Sequence, residues 1–334
     1  MDYSAFLARS GRPRDALPYS QEAYALAQRV ENPYLLGLAA GVMSMAVPAE
    51  RQRFAQLAIT LLRQVGGPPV LAGALWMWGD ELRSQGALDE ARAAYEESLQ
   101  LLREMGNVTH IFYPLGNLGR LALLDGDLAG ARHRFAEYVE VCRRTRNRVS
   151  LADWLLRLGV VQLYQGEPGP ARAALQESLA VSEEIAHRPL VPNILTWLAL
   201  VAVAEGDLDQ AGHYLQQSLN AYTKFYAADG SHISPRDFQY LERSQLIEAL
   251  LAAARIQAAQ ESPDSAARLL SFAEQMLQER PYRLDPPVQA MVDDLHDQLD
   301  VPALAPAWAD GRAMTLEQAV REAMNVERHE TRPD

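Results

Sequence analysis

QGALDEARAAYEESL (85–99), DGDLAGARHRFAEYV (125–139), QGEPGPARAALQESL (165–179) and EGDLDQAGHYLQQSL (205–219) are four readings of one pattern. They set Gly86, Gly126, Gly166 and Gly206 40 residues apart, and Ala91, Ala131, Ala171 and Ala211 each follow five residues later. A fixed period of this length marks a chain built of stacked supersecondary units. The same interval joins LLRQVG (61–66) to LLREMG (101–106).

Each unit reads as two helices. The first, for example PLGNLGRLALL (114–124), ends at Gly126, and glycine suits the left-handed cap of a helix C-terminus. Asp127 and Asp207 then open second helices, where a carboxylate accepts orphan backbone N–H groups. Pro114 and Pro192 stand where first helices begin, the one turn that tolerates proline. Gly79, Gly119, Gly159, Ala199 and Ala254 lie 12 residues before Ala91, Ala131, Ala171, Ala211 and Ala266. Small residues at this spacing predict a close helix crossing within each pair. Four residues after the alanines stand Tyr95, Phe135, Leu175, Leu215 and Leu270, expected to fill the space between neighbouring pairs.

This spacing of small residue, alanine and large residue resembles the tetratricopeptide repeat (TPR), firmly over 70–226, well over 236–279 and more weakly over 1–66. The resemblance implies an all-α solenoid, a right-handed superhelix of about six antiparallel helix pairs over residues 1–284. The 40-residue repeat exceeds the family's commoner 34 by six residues, between one and two helical turns, divided between the two helices. Between Ala211 and Ala266 the interval is 55, and the excess contains AADGSHISP (227–235), which reads as a loop. The chain begins almost at once with a second helix, so the natural protein is expected to continue upstream.

Residues 285–334 are expected to cap the array. Pro286 and Pro287 open a helix with Val288, Met291, Val292, Leu295 and Leu299 on one stripe. Thr315 and Gln318 have the spacing of a capping box. AARLLSFAEQML (266–277) and AWADGRAMTLEQAV (307–320) are similar to the C-termini of large bacterial signal-transduction ATPases with numerous domains (STAND) and LuxR-like multidomain transcriptional regulators. That resemblance implies a TPR sensor that reads an inducer or partner and helps hold an upstream ATPase inactive. No G-x-x-x-x-G-K-[ST] phosphate loop occurs in the 334 residues.

Composition narrows the function classes. The chain is 49% apolar and 22% charged, with a net charge of −12 that is concentrated after residue 228. It has no basic stripe of the kind that displaces counterions from phosphate, so no direct nucleic-acid contact is expected. It has no run of about 18 apolar residues and no apolar signal core, which predicts a cytoplasmic protein without a membrane partner. The single cysteine, Cys142, excludes an internal disulfide. The histidines, His110, His133, His187, His213, His232, His296 and His329, show no metal-ligand spacing. No nucleophile elbow or cofactor motif appears, and Glu96–Glu97 and Glu183–Glu184 read as solvated helix faces. The expectation is a protein that binds and does not catalyse, without metal or cofactor.

Counting from the small residue of each first helix gives the positions that line the groove. These are Trp76, Asp80 and Arg83, then Tyr113, Asn117 and Arg120, then Asp153, Arg157 and Tyr164, then Asn193 and Trp197. Aromatic and arginine side chains are the types that carry binding energy. Asn117, Arg120 and Arg157 suit a carboxylate, and Trp76 and Tyr113 an apolar side chain. Alternatively the tryptophans pack on adjacent helices and the arginines pair with acids along the groove. The partner is then a protein, a peptide or a small inducer. A free-standing TPR adaptor is the other function class that fits.

Overall fold

The structure, a computed structural model, describes residues 13–108, 110–227, 235–279 and 284–325, with side chains for 14–108, 110–222, 244–279 and 284–325. Residues 228–234 of the expected loop and the first twelve residues lie outside the described ones. Among the described residues there is no strand. The helices are α1 (Pro13–Val30), α2 (Pro33–Ala46), α3 (Arg51–Val65), α4 (Pro68–Ser84), α5 (Leu88–Glu104), α6 (Phe112–Leu124), α7 (Leu128–Thr145) and α8 (Arg148–Tyr164). They continue with α9 (Pro168–Glu184), α10 (Val191–Ala204), α11 (Leu208–Ala227), α12 (Pro235–Ala259), α13 (Pro263–Glu279), α14 (Pro286–Leu299), α15 (Ala305–Ala313) and α16 (Leu316–Met324).

The punctuation is as the spacing predicts. Gly86, Gly126, Gly166 and Gly206 take φ between 75° and 80°, a left-handed conformation that closes each first helix at little steric cost to glycine. Asp127 Oδ1 accepts from Gly130 N at 2.8 Å, and Asp207 Oδ1 from Gln210 N at 3.0 Å. Pro114 and Pro192 fall in the first turns of α6 and α10.

The chain forms two compact units, up to Ala122 and from Leu123 on. In the first, α2 packs on α3 and α4 on α5. Phe54, Ala58, Ile59, Leu62, Leu71 and Leu75 fill the core between them. In the second, α8 packs on α9, α10 on α11 and α12 on α13. Residues 192–202 of α10 are buried on every side, because α9, α11 and α12 all lie against it. An all-round apolar sequence such as ILTWLALVAVA suits that place.

Two of the large residues pack differently from the expectation that they fill the space between pairs. Tyr95 and Leu175 pack inside their own pairs, onto the glycines. A Cβ on Gly79 would stand 2.6 Å from Tyr95 Cε1, and one on Gly159 would stand 2.7 Å from Leu175 Cγ. Phe135 reaches the following pair as expected, its ring 5.2 Å from that of Trp154. A second repeated contact pins the pairs: Ser98, Ser178 and Ser218 each donate to a carbonyl 26 residues earlier. The acceptors are Ala72 at 2.7 Å, Ala152 at 2.7 Å and Pro192 at 2.8 Å. In the intervening repeat the position is Tyr138, which stacks on Trp154 at 4.0 Å.

The C-terminal helices dock on α13. Ser271 Oγ donates to Trp308 O at 2.9 Å, and Trp308 Nε1 donates to Leu299 O at 3.0 Å. A Cβ on Gly311 would meet Arg268 O at 2.4 Å, so that glycine lets two backbones touch. Glu322 takes Arg268 Nε at 2.7 Å and Ser265 Oγ at 2.5 Å. The capping box closes, with Thr315 N 2.7 Å from Gln318 Oε1 and Gln318 N 3.3 Å from Thr315 Oγ1.

Gly79→Ala and Gly159→Ala should each lower stability in chemical denaturation by about 1–3 kcal/mol through overpacking. Gly73, in α4, has open space where a Cβ would stand, with no other atom within 4 Å. Gly73→Ala should therefore raise stability by about 0.5–1 kcal/mol, the ordinary gain for removing a helix-interior glycine.

Candidate ligand-binding groove

In the first unit the proposed groove residues are largely engaged with one another. Asp80 accepts from Tyr95 Oη at 2.6 Å and from Asn117 Nδ2 at 3.0 Å, joining three helices through one carboxylate. Burial first, and then Asp80, hold the Tyr95 hydroxyl well above the usual tyrosine range. Trp76 stacks on Tyr113 at 4.6 Å with planes 9° apart, and Tyr113 keeps half of its surface exposed. Arg83 has a buried Nε without a hydrogen-bond partner among the described residues. Arg120 is exposed. Trp76 and Asp80 line a cavity of 270 Å³ with the Arg51–Glu81 ion pair, 2.8 Å across. Hydrogen bonding from Arg51 holds the Glu81 carboxyl below its ordinary range.

The second unit brings its five proposed residues together. Asp153, Arg157 and Tyr164 from α8 and Asn193 and Trp197 from α10 all line one cavity of 190 Å³. Arg157 sets its guanidinium over Trp154, 5.3 Å from the ring centroid. The Tyr164 and Trp197 rings meet edge to face at 5.8 Å. Burial raises the Asp153 carboxyl above its ordinary range, opposed by the charges of His187 and Arg157. Cys142 is buried and free, and burial lifts its thiol to about 12, so it is not a poised nucleophile.

Two acids that the groove count did not find complete the lining, Glu248 on α12 and Asp285 at the start of α14. Asn193 Nδ2 donates to Glu248 Oε2 at 3.3 Å. The amide's Oδ1 and the Tyr164 hydroxyl are buried with no hydrogen-bond partner among the described residues. Asp285 occupies the N-cap position of α14 but does not cap it with its side chain. The signal for Glu248 was available, since it is the one acid inside the apolar run LIEALLAAA (246–254). Glu248 falls outside the inward positions of the 40-residue register because α12 stands 15 residues out of it.

Burial raises Glu248 to about 7, and the Asp285 charge adds to the rise. Hydrogen bonding from Asn193, the charge of Arg157 and hydrogen bonding from Trp197 work the other way. A carboxyl whose folded value lies above its unfolded one costs nothing while both states are protonated. The folded state loses stability as pH rises between the two values, because the unfolded chain ionises first. Thermal melts should therefore show the second unit less stable at pH 8 than at pH 5, with Glu248 contributing on the order of 2 kcal/mol. Glu248→Gln should flatten that slope, and an unchanged slope would refute the assignment.

Elsewhere, exposed ion pairs cross between helices, among them Arg132–Glu167 and Arg143–Glu177, both 2.7 Å, and Arg63–Glu97 and Arg148–Glu184. Two of the acids read as solvated, Glu97 and Glu184, are thus paired as well, in contacts of small worth. His133 and His213 are exposed. No group of three histidine, cysteine or acidic side chains among the described residues is placed to hold a metal. No helix among them is long and apolar enough to cross a membrane.

The tetratricopeptide repeat family profile matches residues 110–184. No curated protein sequence matches the chain. Among the solved structures that share the fold, three cover most of this chain. BtubC from P. vanneervenii is 18% identical, with 68% of this chain and 94% of that one covered and a TM-score of 0.54. The apo form of RapI is 11% identical, with 93% and 83% covered and a TM-score of 0.64. A STAND protein with a tetratricopeptide repeat sensor from Pyrococcus horikoshii is 15% identical, with 96% of this chain and 48% of that one covered and a TM-score of 0.54. At these identities the likeness is one of fold. Repeats of this kind form protein-interaction modules, and the chain is an all-α array of tetratricopeptide-type helix pairs, matched to the family over residues 110–184.

Proposed function

We propose that this chain is a non-catalytic sensor module of a STAND-type regulatory ATPase or transcriptional regulator, which takes an inducer or partner between its helices and contributes to autoinhibition. One observation supports the binding role above others: the second-unit cavity presents Asn193 Oδ1 and the Tyr164 hydroxyl without partners among the described residues. A buried polar atom left unpaired costs about 1–3 kcal/mol, a cost that an occupant with complementary groups removes. The sensor role draws on the C-terminal motif and on the fold shared with the Pyrococcus horikoshii protein, whose repeats are a sensor. Contacts of Arg268, Ser271 and Gly311 hold the helices of residues 286–324 on α13, which supports reading them as the cap of the array.

The reading is tested by the size of the native polypeptide. An antibody raised against this chain should detect, in its source cells, a band two or three times the 37.1 kDa of this sequence. A band near 37.1 kDa would overturn the sensor role and leave a free-standing adaptor, without a fused ATPase to hold inactive.

A further inference from the structure

We propose that the second-unit cavity receives an organic cation, a guanidinium or alkylammonium group, against Glu248, Asp285 and Asn193. This rests on the reading of the cavity as a binding site and names the chemistry of its occupant.

Three carboxylates, those of Asp153, Glu248 and Asp285, line the cavity against the single guanidinium of Arg157. That guanidinium already lies over the Trp154 ring, and its charge acts on the neighbouring acid Asp153. The unpartnered amide points to the same occupant. With Nδ2 of Asn193 donating to Glu248, the group left over is Oδ1, which is an acceptor. Asn193 is only 7% exposed, so bulk water does not satisfy this atom readily. The lining thus carries more carboxylates than cations and leaves one buried acceptor without a donor, and a guanidinium or ammonium answers both.

Size and ring chemistry narrow the class further. A cavity of 190 Å³ admits a group somewhat larger than a benzene ring, the scale of one long side chain or a small amine. The Trp197 and Tyr164 rings line its wall, and aromatic rings suit an organic cation better than an anion. The absence of a three-ligand cluster among the described residues argues against a metal ion as the source of charge. The carboxylate expected from Asn117, Arg120 and Arg157 is disfavoured here, because Arg157 already answers to acids and a further anion would face Glu248 and Asp285.

The experiment is isothermal titration calorimetry of the full chain at pH 8 and low salt with four probes. They are the blocked tripeptides acetyl-Gly-Arg-Gly-amide, acetyl-Gly-citrulline-Gly-amide and acetyl-Gly-Glu-Gly-amide, and agmatine. The arginine peptide, agmatine or both should bind at least about 10-fold tighter than the citrulline peptide, whose side chain has nearly the same shape without the charge. Binding by the arginine peptide alone would mean a side chain of a partner chain, and binding by agmatine alone a free small amine. Glu248→Gln and Asp285→Asn should each weaken binding at least about 5-fold, with thermal melts verifying that the variants fold. Asp285→Asn keeps a residue suited to the N-cap position, so its effect reports charge. Equal binding of the citrulline peptide, tighter binding of the glutamate peptide or no binding by any probe would overturn the proposal. Unchanged affinity in both variants would do the same. Binding of a neutral or acidic probe would leave a binding site with a different occupant, and the sensor role fails separately, on the size of the native polypeptide.

Discussion

Two helices can close on each other only where one backbone is bare at the point of the other's largest side chain. Gly79 beneath Tyr95 and Gly159 beneath Leu175 meet that condition, at distances where an added carbon would overlap the ring or the isobutyl group. The close crossing brings the serine hydroxyls within reach of carbonyls on the facing helix, which a wider crossing would forbid. It also brings Tyr95 to Asp80, so the geometry of the first unit's groove follows from the absence of one methyl group at Gly79.

The groove of the second unit depends on a break in the same period. While the 40-residue register holds, first helices meet other first helices along the inner face. After α11 the interval lengthens, and α12 arrives as a helix of 25 residues lying against α10. Its apolar stretch carries Glu248 into the wall formed by α8 and α10. The start of α14 brings Asp285 to the same place. A strictly regular array would have offered only Asp153, Arg157, Tyr164, Asn193 and Trp197, a lining of near-balanced charge. The irregularity supplies the excess of carboxylates.

The sequence made the helix pairs legible because the constraints that form them are local. A left-handed glycine, an aspartate N-cap and a crossing of small residues each leave a mark within about fifteen residues. The inward positions of α8 and α10 were legible for the same reason, since they follow from counting along a helix of known phase. Glu248 stood out as the lone acid of an apolar run, but its place in this groove was hidden, because it depends on the path of the chain between α11 and α12, which no local signal fixes. The role of Asp80 was hidden differently. Its position was read as lining the groove, but whether a carboxylate serves a ligand or a neighbour depends on which donors come within 3 Å. Tyr95 and Asn117 are 15 and 37 residues away in sequence.

The contrast between the two units bears on where a partner would gain most. In the first, Asp80 has its donors and Glu81 its arginine, so an occupant must displace bonds already made. In the second, burial pushes the Asp153 and Glu248 carboxyls up, so the cavity holds charge at a cost. An occupant that brings a positive charge relieves that cost as well as forming its own contacts, whereas a neutral occupant of the same shape gains only the contacts. Near pH 7 Glu248 stands close to its midpoint, so the same cost can be relieved by a proton. A cation entering the cavity therefore competes with protonation of Glu248, and its affinity and the proton occupancy of that carboxyl are thermodynamically linked.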